Sequence, residues 1–230
     1  MNETLYNAAA LIVPLIVAIV FHEVAHGWVA SLLGDPTAKE QRRLSLNPLR
    51  HVDPVGTVIL PGLLALVKAP VFGWAKPVPV IKERLRNPRF GMMAVAAAGP
   101  GSNLLMGAVA AIVFGLIEPA GGGVYSPAFV FALYSLGLFI QINVFLALFN
   151  LLPIPPFDGS HIVEGLLPER LAASYDKLRP FGFALVFSLL IVLPWLIPSF
   201  NPVSYLLNAP VRWVLDRYQE LSAFFAASGE

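Results

Sequence analysis

The chain has 230 residues, of which 57% are hydrophobic and 13% charged, an apolar share above that of ordinary soluble domains. The expected class is a single membrane-embedded domain over residues 1–230. A net charge of +1 offers no basic footprint for nucleic acid, and the absence of cysteine excludes disulfides, Cys zinc sites and thiol nucleophiles, so any metal must use His, Asp, Glu or water.

The first apolar run, Ala8 to Leu33, has no basic residue before it and resumes after His22, Glu23 and His26, so it reads as a retained spanning helix and not as a secretory signal. As a helix it rises about 39 Å, more than the roughly 30 Å of hydrocarbon in a bilayer. Gly34, Asp35 and Pro36 stop it. From Arg42 to His51, where Leu44 and Leu46 alternate with polar residues, a loop with short strands is expected. Thr57 to Val67 is apolar but too short to span and is interrupted by Pro61-Gly62, which suits a re-entrant or interfacial segment. Phe72 to Ile81 carries Pro77 and Pro79 and reads as extended.

Phe90 to Ile117 is the second span, with Gly99, Gly101, Ser102 and Gly107 where another helix can approach, a packed helix and not a lipid-facing one. Ala128 to Leu152 is the third, ended by Pro153, Pro155 and Pro156, and Phe181 to Ile197 is the fourth. Val203 to Phe225 carries Arg212, Asp216, Arg217 and Glu220 among aromatics, as a C-terminal interfacial helix would. The fold class is thus an all-α polytopic membrane protein of about four transmembrane helices, with short β-strands or a re-entrant segment. Ten of the fifteen Lys and Arg lie between Lys39 and Arg89, and Arg170, Lys177 and Arg179 form a second group. The positive-inside rule puts both groups in the cytoplasm, so His22 to His26 and Pro153 to Gly159 fall at one depth, near that side.

The sequence His22-Glu23-Val24-Ala25-His26 is H-E-x-x-H. On a helix its histidines lie one turn apart, about 40° apart in azimuth, and can share one Zn²⁺. Glu23 points about 100° away from His22, too far round to join them as a ligand but near enough to act on a metal-bound water as general base. Three ionisable residues within an apolar helix each cost a few kcal/mol on insertion, a burden a bound metal would explain together. A zinc hydrolase needs one more protein ligand. Asp158 lies where the third helix breaks, at the histidines' depth, and is favoured over His161, three residues on, and over His51 in a turn-rich loop. Without a metal, Asp158 would read as a helix cap or turn residue ahead of Gly159.

With F-H-E-V-A-H at 21–26, A-G-P-G-S-N at 98–103 and N-L-L-P-I-P-P-F-D-G at 150–159, in that order on three successive helices, the chain resembles the site-2 protease family of intramembrane zinc metalloproteases. The stretches 46–56 and 72–80 are similar to its compact subgroup, without PDZ or CBS modules; the run departs from the family in carrying Ser160 where a second glycine is frequent. The resemblance implies one zinc per chain held by His22, His26 and Asp158, Glu23 as the catalytic residue, and Asn103 and Asn150 near bound substrate. For Asn103 the competing expectation is an interhelical hydrogen bond. It further implies an endopeptidase in a bacterial or archaeal cell membrane, cutting transmembrane segments of other proteins with its active site toward the cytoplasm. A substrate segment must unwind, and the extended stretches near Leu44–Leu46 and Val78–Val80 could pair with it as added strands. Two other readings stay open: a membrane zinc hydrolase acting on a lipid or small amide, and a metal transporter.

Overall fold

The computed structural model describes residues 3–66, 73–118, 125–197 and 200–227. In chain order the α-helices are α1 (Glu3–Leu32), α2 (Thr37–Glu40), α3 (Leu60–Leu66), α4 (Pro88–Ile117), α5 (Pro127–Asn150), α6 (Asp158–Leu166), α7 (Glu169–Asp176), α8 (Gly182–Phe187), α9 (Leu193–Leu196) and α10 (Pro202–Ala227). Four stretches are long and apolar enough to cross a membrane: Leu5–Leu32, Pro88–Ile117, Pro127–Asn150 and Glu169–Leu196. The protein is an all-α polytopic membrane protein.

Local chemistry sets the helix ends. Gly34, at φ 110°, closes α1, with Gly34 N donating to Ser31 O and Asp35 N to Ala30 O in the paired arrangement that satisfies a helix's last carbonyls. Asn87 and Ser126 cap α4 and α5 by accepting from Phe90 N and Phe129 N, each just before a proline in the first turn. The fourth span is broken, running through α8, a π-turn at Ser188–Val192 and α9. Pro194 lacks an N–H for the carbonyl four residues back, and widening the ladder just before it relieves the clash. The same device precedes Pro61, where a π-turn at Pro54–Ile59 leads into α3. These pieces fall short of a span, as expected for Thr57–Val67; Val67 itself, Phe72 and residues 119–124 of the connection after α4 lie outside the described residues.

Helices α1, α4 and α5 pack on one another, α6 packs on α4, and α10 lies against α4 and α5. The C-terminal helix expected at the interface, α10, seats closely on the bundle. Tyr218 Oη donates to Leu104 O at 2.6 Å, a Cβ on Gly107 would sit 2.8 Å from the Tyr218 ring, and one on Gly115 would run into the Ser222 backbone. Helix α4 is also not wholly packed: Leu105, Val109, Val113 and Leu116 form an exposed ridge at helical spacing, and Gly101 faces open space.

The short strands are absent among the described residues: 43–47 and 73–81 form no regular element. Pro77 and Pro79 have no amide hydrogen, and the donors between and around them go to separate partners instead of one ladder. Lys76 N donates to His51 O (2.8 Å), Val78 N to Glu23 Oε2 (2.8 Å) and Ile81 N to Asp35 Oδ2 (2.6 Å). Arg43, itself buried, clamps the segment by donating to Lys76 O and Pro77 O.

Candidate metal centre

The third-to-fourth span connection delivers a carboxylate to the histidines. Helix α5 ends at Asn150, the prolyl run turns the chain, and Asp158 opens α6. Gly159 permits the turn because a Cβ there would strike the Leu151 and Leu152 carbonyls. On the far side, a Cβ on Gly182 would lie 2.7 Å from the Pro155 backbone, and Tyr175 Oη donates to Pro153 O at 2.9 Å, so the fourth span braces the run.

His22 Nε2 and His26 Nε2 lie 3.1 and 3.4 Å from Asp158 Oδ2, with the imidazole rings 4.7 Å apart and nearly perpendicular. The ring atoms behind them decide what faces the carboxylate. His26 Nδ1 is 2.7 Å from Val95 O, which can only accept, so Nδ1 carries the hydrogen and, in the neutral ring that binds a metal, Nε2 the lone pair. His22 Nδ1 is 2.6 Å from Asn103 Oδ1, which imposes the same tautomer. Asp158 Oδ2 is buried with no hydrogen-bond partner. Three lone-pair-bearing atoms thus converge, a repulsive arrangement unless a cation sits among them. Their separations suit zinc, because tetrahedral bonds of about 2.0–2.1 Å hold ligand atoms about 3.3 Å apart. Among the described residues these three form the one acid and histidine group able to hold a metal ion.

The remaining residues singled out from the sequence fall elsewhere. His161 turns to Arg179, whose Nη1 lies 2.9 Å from its Nε2, and burial followed by the Arg179 charge lowers its pKa to about 4. His51 is buried, not at the surface as its turn-rich setting suggests, and its Nε2 contacts Ser45 O within the loop. Asn150 donates to Leu146 O one turn back along α5. Asn103 is fully buried, with Oδ1 on His22 and Nδ2 donating to Ala18 O and Asn143 Oδ1. Of its two expected roles the structure displays the interhelical hydrogen bond, and no part of its side chain is open to a substrate. Gly99 belongs to the site too: a Cβ there would lie 2.6 Å from His22 Cε1 and closer still to His26 Nε2.

Sequence reasoning missed Asn143 and the Glu164 cluster. An amide within an apolar span was signal enough for Asn143. Glu164 Oε1 pairs with Lys82 Nζ at 2.6 Å and Oε2 with Arg179 Nη2 at 2.5 Å.

Fold and site together define a polytopic membrane protein in which His22, His26 and Asp158, from two of its helices, are gathered closely enough to hold a metal ion. The family described as Peptidase family M50 matches residues 125–193, which include Asn143 and Asp158. Among curated proteins, "Putative zinc metalloprotease YwhC" of Bacillus subtilis (strain 168) is 40% identical over 190 residues, covering 80% of each chain. Proteins named in the same way are Rip2 of Mycolicibacterium smegmatis, 25% identical over 93% of this chain and 75% of its own, and MJ0611 of Methanocaldococcus jannaschii, 32% identical over 63% and 64%. No solved structure matches. The chain belongs to peptidase family M50, the site-2 protease family, and is a membrane-embedded zinc metalloprotease.

Proposed function

We propose that the protein is an intramembrane endopeptidase that cuts transmembrane segments of other proteins near the cytoplasmic face, using one zinc ion per chain held by His22, His26 and Asp158. The observation that carries this reading is the convergence of three lone pairs on one point from α1 and α6. The clustering of basic residues in the segments that follow His26 and Asp158 in sequence favours the cytoplasmic side.

Zinc bound there supplies Lewis-acid polarisation of the scissile carbonyl and a more acidic water. Glu23 takes the proton of the attacking water and passes it to the leaving amine. The Val78 N–H holds Oε2 of that carboxylate and leaves Oε1 for the transfer. Val95 O and Asn103 hold the imidazoles with Nε2 lone pairs presented. The substrate segment must lose helical hydrogen bonds to expose a carbonyl, and an extended groove is a natural receptor for it. With Val78 N–H engaged and Pro77 and Pro79 lacking donors, strand-like pairing falls to the exposed Leu46 side of the loop in preference to Val78–Val80.

The test is zinc content measured beside cleavage, with the full chain and single-span substrate proteins in liposomes. Glu23→Gln should keep zinc and lose cleavage by about 100-fold or more, and Asp158→Ala should lose both. Normal zinc in Asp158→Ala would overturn the ligand set. Metal-dependent hydrolysis of a lipid or small amide, with no peptide bond cut, would overturn the substrate class.

A further inference from the structure

Behind His22 the amides of two helices form one hydrogen-bonded chain. Asn143 on α5 donates from Nδ2 to Phe139 O at 2.8 Å, and its Oδ1 accepts from Asn103 Nδ2 at 2.8 Å. Asn103 on α4 donates a second hydrogen to Ala18 O of α1 at 3.1 Å and turns Oδ1 to His22 Nδ1 at 2.6 Å. Both asparagines are 0% exposed, so no bulk water competes for these contacts.

The direction of the chain is fixed at its ends. The carbonyls of Phe139 and Ala18 can only accept, so each must face an NH₂ group. That sets Asn143 Oδ1 toward Asn103, and both hydrogens of Asn103 Nδ2 are then engaged. One arrangement pairs every donor with an acceptor, and in it an amide oxygen faces His22. That oxygen cannot donate, so His22 Nδ1 carries the hydrogen and, in the neutral ring, Nε2, the atom beside Asp158, carries the lone pair.

We infer that Asn143, which does not touch the metal centre, is a positioning residue: acting through Asn103, it fixes the tautomer and ring orientation of His22 and thereby how tightly the site holds zinc. The inference rests on the reading of His22 as a ligand. With the Asn143 oxygen removed, one of the two anchors of the Asn103 amide is gone. A flipped Asn103 presents NH₂ to His22 Nδ1, favours the tautomer protonated at Nε2, and places a hydrogen where the metal must bind. Ala18 O still opposes the flip, because it would then face an oxygen, so the loss is partial.

The experiment measures the zinc Kd by chelator competition on the purified full chain in detergent, for wild type, His22→Ala, Asn143→Leu, Asn143→Ala and Asn143→Asp. Removing a ligand's supporting hydrogen-bond partner commonly weakens metal binding 10- to 100-fold, and with Ala18 O still in place the Leu and Ala variants are expected to weaken it about 10-fold. Asn143→Asp, buried and therefore in its neutral acid form, can accept from Asn103 and donate to Phe139 O, and is expected to restore binding to within about threefold of wild type. A purely structural role for Asn143 would lower the folded fraction and leave the Kd of the folded protein unchanged. Wild-type Kd in folded Asn143→Leu or Asn143→Ala overturns the inference, as does Asn143→Asp binding no better than they do. If neither apolar variant folds, ¹⁵N-histidine spectra of the metal-free wild type decide, since a His22 ring with no hydrogen on Nδ1 overturns the inference. Unchanged zinc binding in His22→Ala is distinguishable from all of these, because it removes the ligand reading itself.

Discussion

Glu23 and Val78, 55 positions apart, are joined by a 2.8 Å hydrogen bond from the Val78 amide to Glu23 Oε2. One turn along α1 from Glu23, a Cβ on Gly27 would fall 2.7 Å from Val78 Cγ1, so the segment around Val78 sits directly against the helix that carries the proposed base. The bond fixes the carboxylate's orientation with a group that side-chain substitution leaves in place.

Val78→Pro removes this donor while keeping an extended backbone, which the residue ahead of Pro79 adopts in any case. A charge-assisted hydrogen bond contributes about 1.5 kcal/mol, so cleavage should fall about tenfold with zinc content unchanged. Single-turnover cleavage in liposomes, with metal analysis on the same samples, reads both. Wild-type turnover would show that the Val78 amide does not orient Glu23.

Gly99 is where α4 meets both imidazoles, so Gly99→Ala should push them off the shared point and lower zinc affinity sharply. The space lies against rings held from behind by Val95 O and Asn103, which cannot retreat as a flexible chain end would. Gly101→Ala is the control, because nothing lies within 4 Å of its Cβ position. Zinc retention after gel filtration should drop in the first variant and hold in the second, and equal retention would remove Gly99 from the site.

The spans were legible because long uncharged runs and proline or glycine stops speak for themselves, and H-E-x-x-H is a local pattern whose geometry a helix dictates. Asp158 was legible only as the acid at a prolyl break of matching depth. Asn143 and Glu164 act through residues 40 and 82 positions away, Asn103 and Lys82, a distance at which periodicity carries no information. The strands expected around Leu44 and Val78 failed for a different reason. A ladder needs successive free amides, and Pro77 and Pro79 remove two of them while Glu23 and Asp35 take the donors at Val78 and Ile81.

His161 gives the fold a pH dependence separate from the metal. Burial and then Arg179 lower its pKa from 6.5 to about 4. Between those values the unfolded chain binds a proton that the folded chain refuses, so stability contributed here is intact above pH 6.5 and is lost as the pH falls toward 4. By pH 5 the loss is about 2 kcal/mol. His161→Gln keeps an acceptor for Arg179 without the titration, so its Tm should gain on wild type between pH 7.5 and 5. Both proteins share His22, His26 and Asp158, so ligand titration cancels in the comparison. Parallel Tm curves would contradict the lowered pKa.

Glu164 ties α6, and with it Asp158 at the start of the same helix, to two other parts of the fold. Its carboxylate joins Lys82, just after the 73–81 segment, and Arg179, in the short turn that precedes α8; Arg179 also pairs with Asp176 at 2.7 Å. The carboxylate is mostly buried, so its loss lies between the small effect of an exposed pair and the several kcal/mol of a fully buried one, about 2 kcal/mol. Glu164→Gln should therefore lower Tm by about 4–8 °C in a chain of this size. Because the two cations would be left beside each other without their shared anion, Arg179→Gln added to Glu164→Gln should cost less than the sum of the single changes. Strict additivity in thermal unfolding of the four proteins would show that Glu164 and Arg179 act independently and that the fourth span is held to α6 by packing alone.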